Sequence, residues 1–193
     1  FRRIILLIGS RYPEALRNLE LFLNCLDDFE INQSCLILMP ISNNLKMEYI
    51  EKRLKEHDYI KDKMQKFSIN EESVWAKNNL LVLLGHNNFN SWAYLGEVGI
   101  ANAGTATEQI SGLGIPLLSY PKMGPQFTKS FAKRQQRLLG GSVKVCQNKQ
   151  ILLKNLDILL KNKTFRDNMA KPGIERMGEK GASLKIVEYI CLN

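Results

Sequence analysis

The sequence predicts an α/β fold: a doubly wound parallel sheet with helices on both faces. Three observations carry that expectation. Short, wholly apolar runs, among them Ile4–Ile8, Leu80–Leu84 and Val98–Ala101, read as strands buried on both sides. The stretches between them place apolar residues at three- and four-residue spacing, as amphipathic helices do. The alternation runs for about six cycles with no internal repeat, low-complexity tract or linker long enough to divide the chain. The 193 residues are therefore expected to form one domain, 1–193, with 165–193 a terminal helical segment.

Taken in order, Ile4–Ile8 is the first strand and ends at Gly9-Ser10-Arg11. Pro13 suits the start of the following helix. That helix has Ala15, Leu16, Leu19, Phe22, Leu23 and Leu26 as its inner stripe and ends by Asp27-Asp28 and Asn32. Cys35–Met39 is the second strand, closed by Pro40, and a charged helix over 45–56 buries Met47, Ile50 and Leu54. Residues 58–79 give a weaker pattern, with Lys66–Ile69 read as a short strand and the segment around Trp75 fitting no template. Leu80–Leu84 is a strand stopped by Gly85-His86, 89–95 makes two helical turns, and Val98–Ala101 is the next strand. A helix then opens at Thr105 and ends by Gly112 and Gly114, before the strand Ile115–Tyr120. The loop 121–125 leads into a helix over 126–139, with Phe127, Phe131 and Leu138 inward and Gly140-Gly141 as its stop. Val143–Val145 is a short strand, 151–160 a helix, and 165–190 one or two helices broken near Pro172-Gly173 and Gly178.

Composition narrows the classes. The formal net charge is +8 and the pI near 9.3. No acidic residue occurs between Gln109 and Leu156, where Lys122, Lys129, Lys133, Arg134, Arg137, Lys144, Lys149 and Lys154 lie. Such a run suits nucleotide phosphates, anionic lipid headgroups or nucleic acid. Cys25, Cys35, Cys146 and Cys191 show no CxxC spacing and read as buried free thiols of a reducing compartment. With only His57 and His86 present, a histidine-rich metal site is not expected. No apolar run approaches the roughly 18 residues of a membrane span, so the expected location is cytoplasmic, with peripheral membrane contact open. The chain opens on Phe1 rather than methionine and is read as a piece of a longer protein.

In wound sheets, ligands bind beyond the carboxyl ends of the strands. Three loops there carry candidate chemistry. Gly9 lets a backbone approach, Ser10 offers a hydroxyl and Arg11 a charged fork suited to phosphate oxygens. Gly104 permits a tight turn, and Thr105-Ala106-Thr107-Glu108 has capping-box spacing. Small residues at that helix start leave N–H groups open to an anion. Glu108 is free either to accept from ribose hydroxyls or to cap its own helix. Gly85-His86 forms the third loop. The GxGxxG fingerprint, the GxxxxGK[ST] loop and the GxSxG elbow are all absent. No Asp-x-Asp pair is present to hold a metal–nucleotide complex.

These residues carry a resemblance. Gly9-Ser10-Arg11, Ala103–Gln109 with Gly112-Leu113-Gly114-Ile115-Pro116, and Gly124–Thr128 with Phe131-Ala132 and Gln135 resemble the C-terminal half of the lipid-A-disaccharide synthase-related proteins of cyanobacteria. The resemblance implies a GT-B glycosyltransferase of two Rossmann-like domains, with the donor in the C-terminal one and the acceptor domain outside this chain. It implies phosphate contacts from Ser10 and Arg11 and from the Gly104-Thr105 loop, with Gly9, Ala106 and Thr107 also in the substrate site, a ribose contact from Glu108 beside Gln109, and uracil near Gly85 and His86. Gly124, Pro125, Gln126 and Phe127 would lie near the sugar or diphosphate. The synthase's usual Gly-Thr-Ala-Ala-Leu-Glu places its glutamate one residue later than Glu108. The expected donor is a UDP-sugar and the acceptor a lipid or saccharide. Transfer would be inverting, with no cofactor, no metal and a base from the missing domain. A UDP-N-acetylglucosamine 2-epimerase-like enzyme and a non-catalytic anion- or nucleic-acid-binding module stay open, although nucleic acid is not the expected partner.

Overall fold

The computed structural model describes residues 1–29, 33–64, 66–122, 124–178 and 181–192. Two positions singled out from the sequence, Asn32 after the first helix and Met123 in the loop before Gln126, lie outside them. The elements are β1 (Arg2–Leu7), α1 (Glu14–Leu26), β2 (Cys35–Ile41), α2 (Met47–Glu56), β3 (Ile60–Asp62), β4 (Ser73–Lys77), β5 (Leu80–His86) and α3 (Phe89–Trp92). They continue as β6 (Val98–Ala101), α4 (Thr105–Gly112), β7 (Leu117–Ser119), α5 (Lys129–Leu138), β8 (Val143–Val145), α6 (Lys149–Lys161), α7 (Lys163–Met177) and α8 (Ala182–Leu192).

The strands form one eight-stranded sheet, ordered β3-β4-β5-β2-β1-β6-β7-β8. The run from β5 to β8 is parallel, as the apolar patterning predicts. Residues alternate between two cores because successive side chains leave a strand on opposite faces. Ile4 and Leu6 pack with Phe22 of α1, Ile50 of α2 and Leu156 of α6. Ile5 and Leu7 pack on the other face with Trp92 of α3, Ile110 of α4 and Leu139 after α5. Helix α7 packs on α4 and α6.

Several expectations are corrected. The sheet is not wholly parallel, because β3 and β4 add an antiparallel edge, with Trp75 paired to Val82 and buried. Lys66–Ile69 is not a strand. The Glu71 carboxylate accepts the N–H groups of Phe67, Ser68 and Ile69 at 2.6, 3.2 and 2.9 Å, which curls the segment around one side chain. Pro40 does not close β2, which pairs with β5 as far as Ile41. The β1 ladder stops at Leu38, so the missing N–H of Pro40 forfeits no bond on that side.

The remaining corrections concern helices and thiols. Helix α3 makes one turn rather than two. Leu138 is 57% exposed, and Ala132, Gln135 and Leu139 form the inner side instead. Pro172 lies inside a continuous α7, and only Gly178, at φ 73°, ends it. Cys191 is exposed, whereas Cys25, Cys35 and Cys146 are buried free thiols pushed up to about 11 by burial. No helix of the described residues is long and apolar enough to cross a membrane.

Candidate functional site

At the carboxyl edge of β1, β2 and β6 opens a cleft of about 630 Å³, a size suited to a small-molecule ligand. Its floor is set by one buried amide. Asn102, just after β6, donates to Tyr120 O at 2.9 Å and to Asn18 Oδ1 at 3.1 Å. Its own oxygen accepts from Ser119 Oγ at 3.2 Å and Tyr120 N–H at 3.1 Å. Asn18 of α1 in turn donates to Ile8 O at 3.0 Å. The ends of β1, β6 and β7 are thereby tied together.

The first wall is the turn after β1. Gly9, at φ 92°, adopts a conformation that glycine takes without strain, and a Cβ there would crowd Asn102 O at 3.3 Å. Ser10 and Arg11 follow, both exposed and both lining the cleft. Arg11 Nη1 donates to Gln126 Oε1 across the opening.

The second wall is the start of α4, where Gly104, Thr105 and Ala106 line the cleft. The capping-box expectation is corrected here. Gly104 occupies the N-cap and no side chain caps the helix, so Thr105 is its first residue and Glu108 has no capping partner. Thr107 is fully buried, and its hydroxyl donates to Ala103 O at 2.7 Å. Thr107 N–H donates to Gly104 O at 2.9 Å, whereas the N–H groups of Thr105 and Ala106 at the start of the turn have no carbonyl one turn back to bond. Gln135 of α5 holds the turn from behind, donating to Ala103 O at 3.2 Å and Gly104 O at 3.1 Å.

The third wall is the segment before α5. Gln126 and Phe127 line the cleft with Phe131, and the two rings meet edge to face at 5.3 Å. Thr128 begins α5 by accepting the Phe131 N–H at 3.1 Å. The far end of the cleft is bounded by Pro40, Ile41, Ser42, Asn43, Asn87 and Phe89. There Asn43 donates to Asn87 Oδ1 at 2.8 Å.

The structure thus brings Gly9, Ser10, Arg11, Gly104, Thr105, Ala106, Gln126 and Phe127 to one cleft. Gly85, His86, Thr107, Glu108, Gln109, Gly124 and Pro125 do not line it. Glu108 is half-buried on the first turn of α4, and Gln109 is exposed. His86 braces loops: Nε2 lies 3.0 Å from Leu45 O and Nδ1 3.1 Å from Glu72 Oε1. Gly85 faces Asn88, whose amide would overlap any Cβ there. The sequence reading missed Glu14, Asn18, Asn43, Asn87, Phe89 and Asn102, all of which line the cleft. Asn87 alone carried a signal, since Asn is among the residues that tolerate its φ of 58°.

The basic run does not form one face. Lys149 pairs with Asp28, and Lys144 donates to Asn155 at 2.6 Å, whereas Lys129, Lys133, Arg134 and Arg137 are exposed on α5.

No protein-family model matches the sequence, and no curated protein does. Solved structures do match. MurG of Acinetobacter baumannii aligns at TM-score 0.65 and 14% identity, covering 100% of this chain and 52% of that one. The chain has the fold of a GT-B C-terminal domain. The UDP-GlcNAc 2-epimerase of Neisseria meningitidis, bound to UDP-GlcNAc, aligns at TM-score 0.59 and 17% identity. There the coverage is 100% of this chain and 44% of the epimerase. The C-terminal CMP-Kdo binding domain of WaaA from Acinetobacter baumannii aligns at 0.54 and 13%, covering 92% of this chain and 90% of that domain. The chain therefore spans about half of the two longer proteins and nearly all of the isolated domain.

Proposed function

We propose that this chain is the donor-binding domain of a metal-independent, inverting glycosyltransferase that uses a UDP-sugar, of the lipid-A-disaccharide synthase-related type. One observation carries the reading: Arg11 and the open first turn of α4 face a common cleft at the carboxyl edge of a GT-B C-terminal sheet. That donor set is cationic and N–H-rich, and its one carboxylate, Glu14, already accepts the Phe127 N–H at 2.8 Å. It suits a diphosphate better than a divalent cation.

During transfer the bond between the anomeric carbon and the diphosphate oxygen breaks, and negative charge grows on the departing UDP. The α4 amides and Arg11 are aimed at where that charge develops. Gly9 and Ser10 bound the same subsite. Glu108 lies outside the lining, so it meets a ribose only if the nucleoside extends along α4, with the base towards Asn87 and the His86 loop. The base that deprotonates a lipid or saccharide acceptor comes from residues outside this chain. The isolated chain accordingly binds nucleotide without turnover. The exposed cations of α5 are the surface on which anionic headgroups would be met.

Calorimetry with UDP, GDP, dTDP and their sugars, on wild type and Arg11→Ala, tests the reading. UDP is expected to bind, and loss of the Arg11 fork to weaken it about tenfold or more. Absence of binding by every nucleotide sinks the proposal, and robust sugar transfer by these 193 residues sinks its claim of incompleteness. The epimerase-like alternative is supported by the Neisseria meningitidis neighbour. A product assay on a longer protein with UDP-N-acetylglucosamine, reading free UDP against epimerised sugar, separates the two.

A further inference from the structure

Among the described residues, Glu14 is the one acidic side chain in the cleft lining and is 8% exposed, at the first residue of α1. A carboxylate there opposes an anionic ligand unless its charge is already engaged. It is engaged. Oε1 accepts the N–H of Phe127 at 2.8 Å and lies 3.3 Å from the N–H of Gln126. The start of α1 also favours a negative charge. Gly124 makes the approach possible, since a Cβ on it would overlap Glu14 Oε1. The segment so held carries Gln126, which accepts from Arg11, and Phe127, whose ring meets Phe131. One turn further along α5, Gln135 holds the carbonyls of Ala103 and Gly104. A continuous set of contacts runs from Glu14 through this segment to the turn that opens α4.

We propose that Glu14 is a positioning residue: its carboxylate clamps Gly124–Phe127 against the amino end of α1, making that segment a fixed wall of the anion-binding cleft. Arg11 is then held by Gln126 at a defined place, instead of at the end of a free side chain. The ligand part of this inference rests on the nucleotide reading above, whereas the clamp itself does not.

The experiment pairs backbone hydrogen exchange at Gln126 and Phe127 with UDP calorimetry on wild type, Glu14→Ala, Glu14→Gln, Gly124→Ala and the double variant Glu14→Ala/Gly124→Ala. A glutamine keeps an acceptor oxygen, so Glu14→Gln is expected to stay within about threefold of wild type in both readouts. Glu14→Ala is expected to speed exchange at the two amides about tenfold or more and to raise the Kd for UDP by a similar factor. Gly124→Ala should reproduce that effect with the carboxylate still present, and the double variant should be no worse than either single change. Exchange unchanged in both Glu14→Ala and Gly124→Ala overturns the clamp, whether or not UDP binds. Faster exchange with unchanged UDP affinity overturns the role of the segment as a cleft wall. Wild type that fails to bind UDP at all rejects the nucleotide reading and with it the ligand part, while the exchange data still decide the clamp.

Discussion

Asn102 and His57 are both buried polar side chains, and each predicts a distinct measurable loss. All of the Asn102 amide is engaged, with Asn18, Ser119 and Tyr120 as partners. Asn102→Ala leaves several of those groups unpaired inside the domain. Its expected cost is about 2–4 kcal/mol in urea unfolding. His57 lies between two carboxylates, with Nδ1 2.6 Å from Asp27 Oδ2 and Nε2 3.1 Å from Glu20 Oε1, while Lys77 reaches Asp27 at 2.6 Å. Burial pushes the His57 pKa down, but the bonds to Asp27 and Glu20 outweigh it and hold it above the ordinary value. Burial likewise raises Asp27, and the bonds from Lys77 and His57 outweigh it downward. The His57 contribution is therefore whole below the unfolded imidazole pKa of 6.5 and lost as pH rises through its raised value. The Asp27 contribution is present above the ordinary carboxylate pKa and lost as pH falls through its lowered one. His57→Gln should cost about 1–2 kcal/mol near pH 6 and little at high pH, flattening the stability profile between them. An unchanged profile contradicts the pairing.

At the scale of elements, α4 and α7 meet through small residues. Gly173 of α7 sits against Ser111 and Ser142, whose hydroxyls are 2.5 Å apart, and a Cβ would lie 2.6 Å from Ser111 O. Gly173→Ala cannot be accommodated without separating the helices. Chemical denaturation should show a loss of about 1–3 kcal/mol. The same contact explains why Pro172 does not break α7, since Gly140 makes room for its ring and packing outweighs one forfeited bond. The pattern 165–190 contains the proline but not the neighbour that tolerates it. In the same way Pro40 reads as a strand end until the shorter β1 ladder is known. Strand existence was legible wherever the strand was wholly apolar. The β3–β4 edge was not, because Lys61 and Lys77 share a face with Trp75, so neither strand is a wholly apolar run or a clean polar–apolar alternation.

For the whole molecule, a ligand that binds only the folded chain raises its stability by mass action. UDP at about a hundred times its Kd should add about 2.7 kcal/mol, and for a domain of this size raise Tm by about 5–10 °C. Calorimetric Tm against UDP concentration checks this, and a flat line contradicts a folded-state site. The wound α/β class, the parallel strands and the loops at their carboxyl ends are legible in the residues alone, because apolar runs and glycine turns are local signals. The residues alone also single out Gly9–Arg11 and Gly104–Ala106, whose residue types suit phosphate. That these loops share a cleft, that Gly104 rather than Thr105 begins the α4 cap, and that Glu14 is spent on the Phe127 amide emerge from the folded arrangement. Those facts depend on which strand lies beside which, and on partners more than a hundred residues apart. A local pattern carries no record of either.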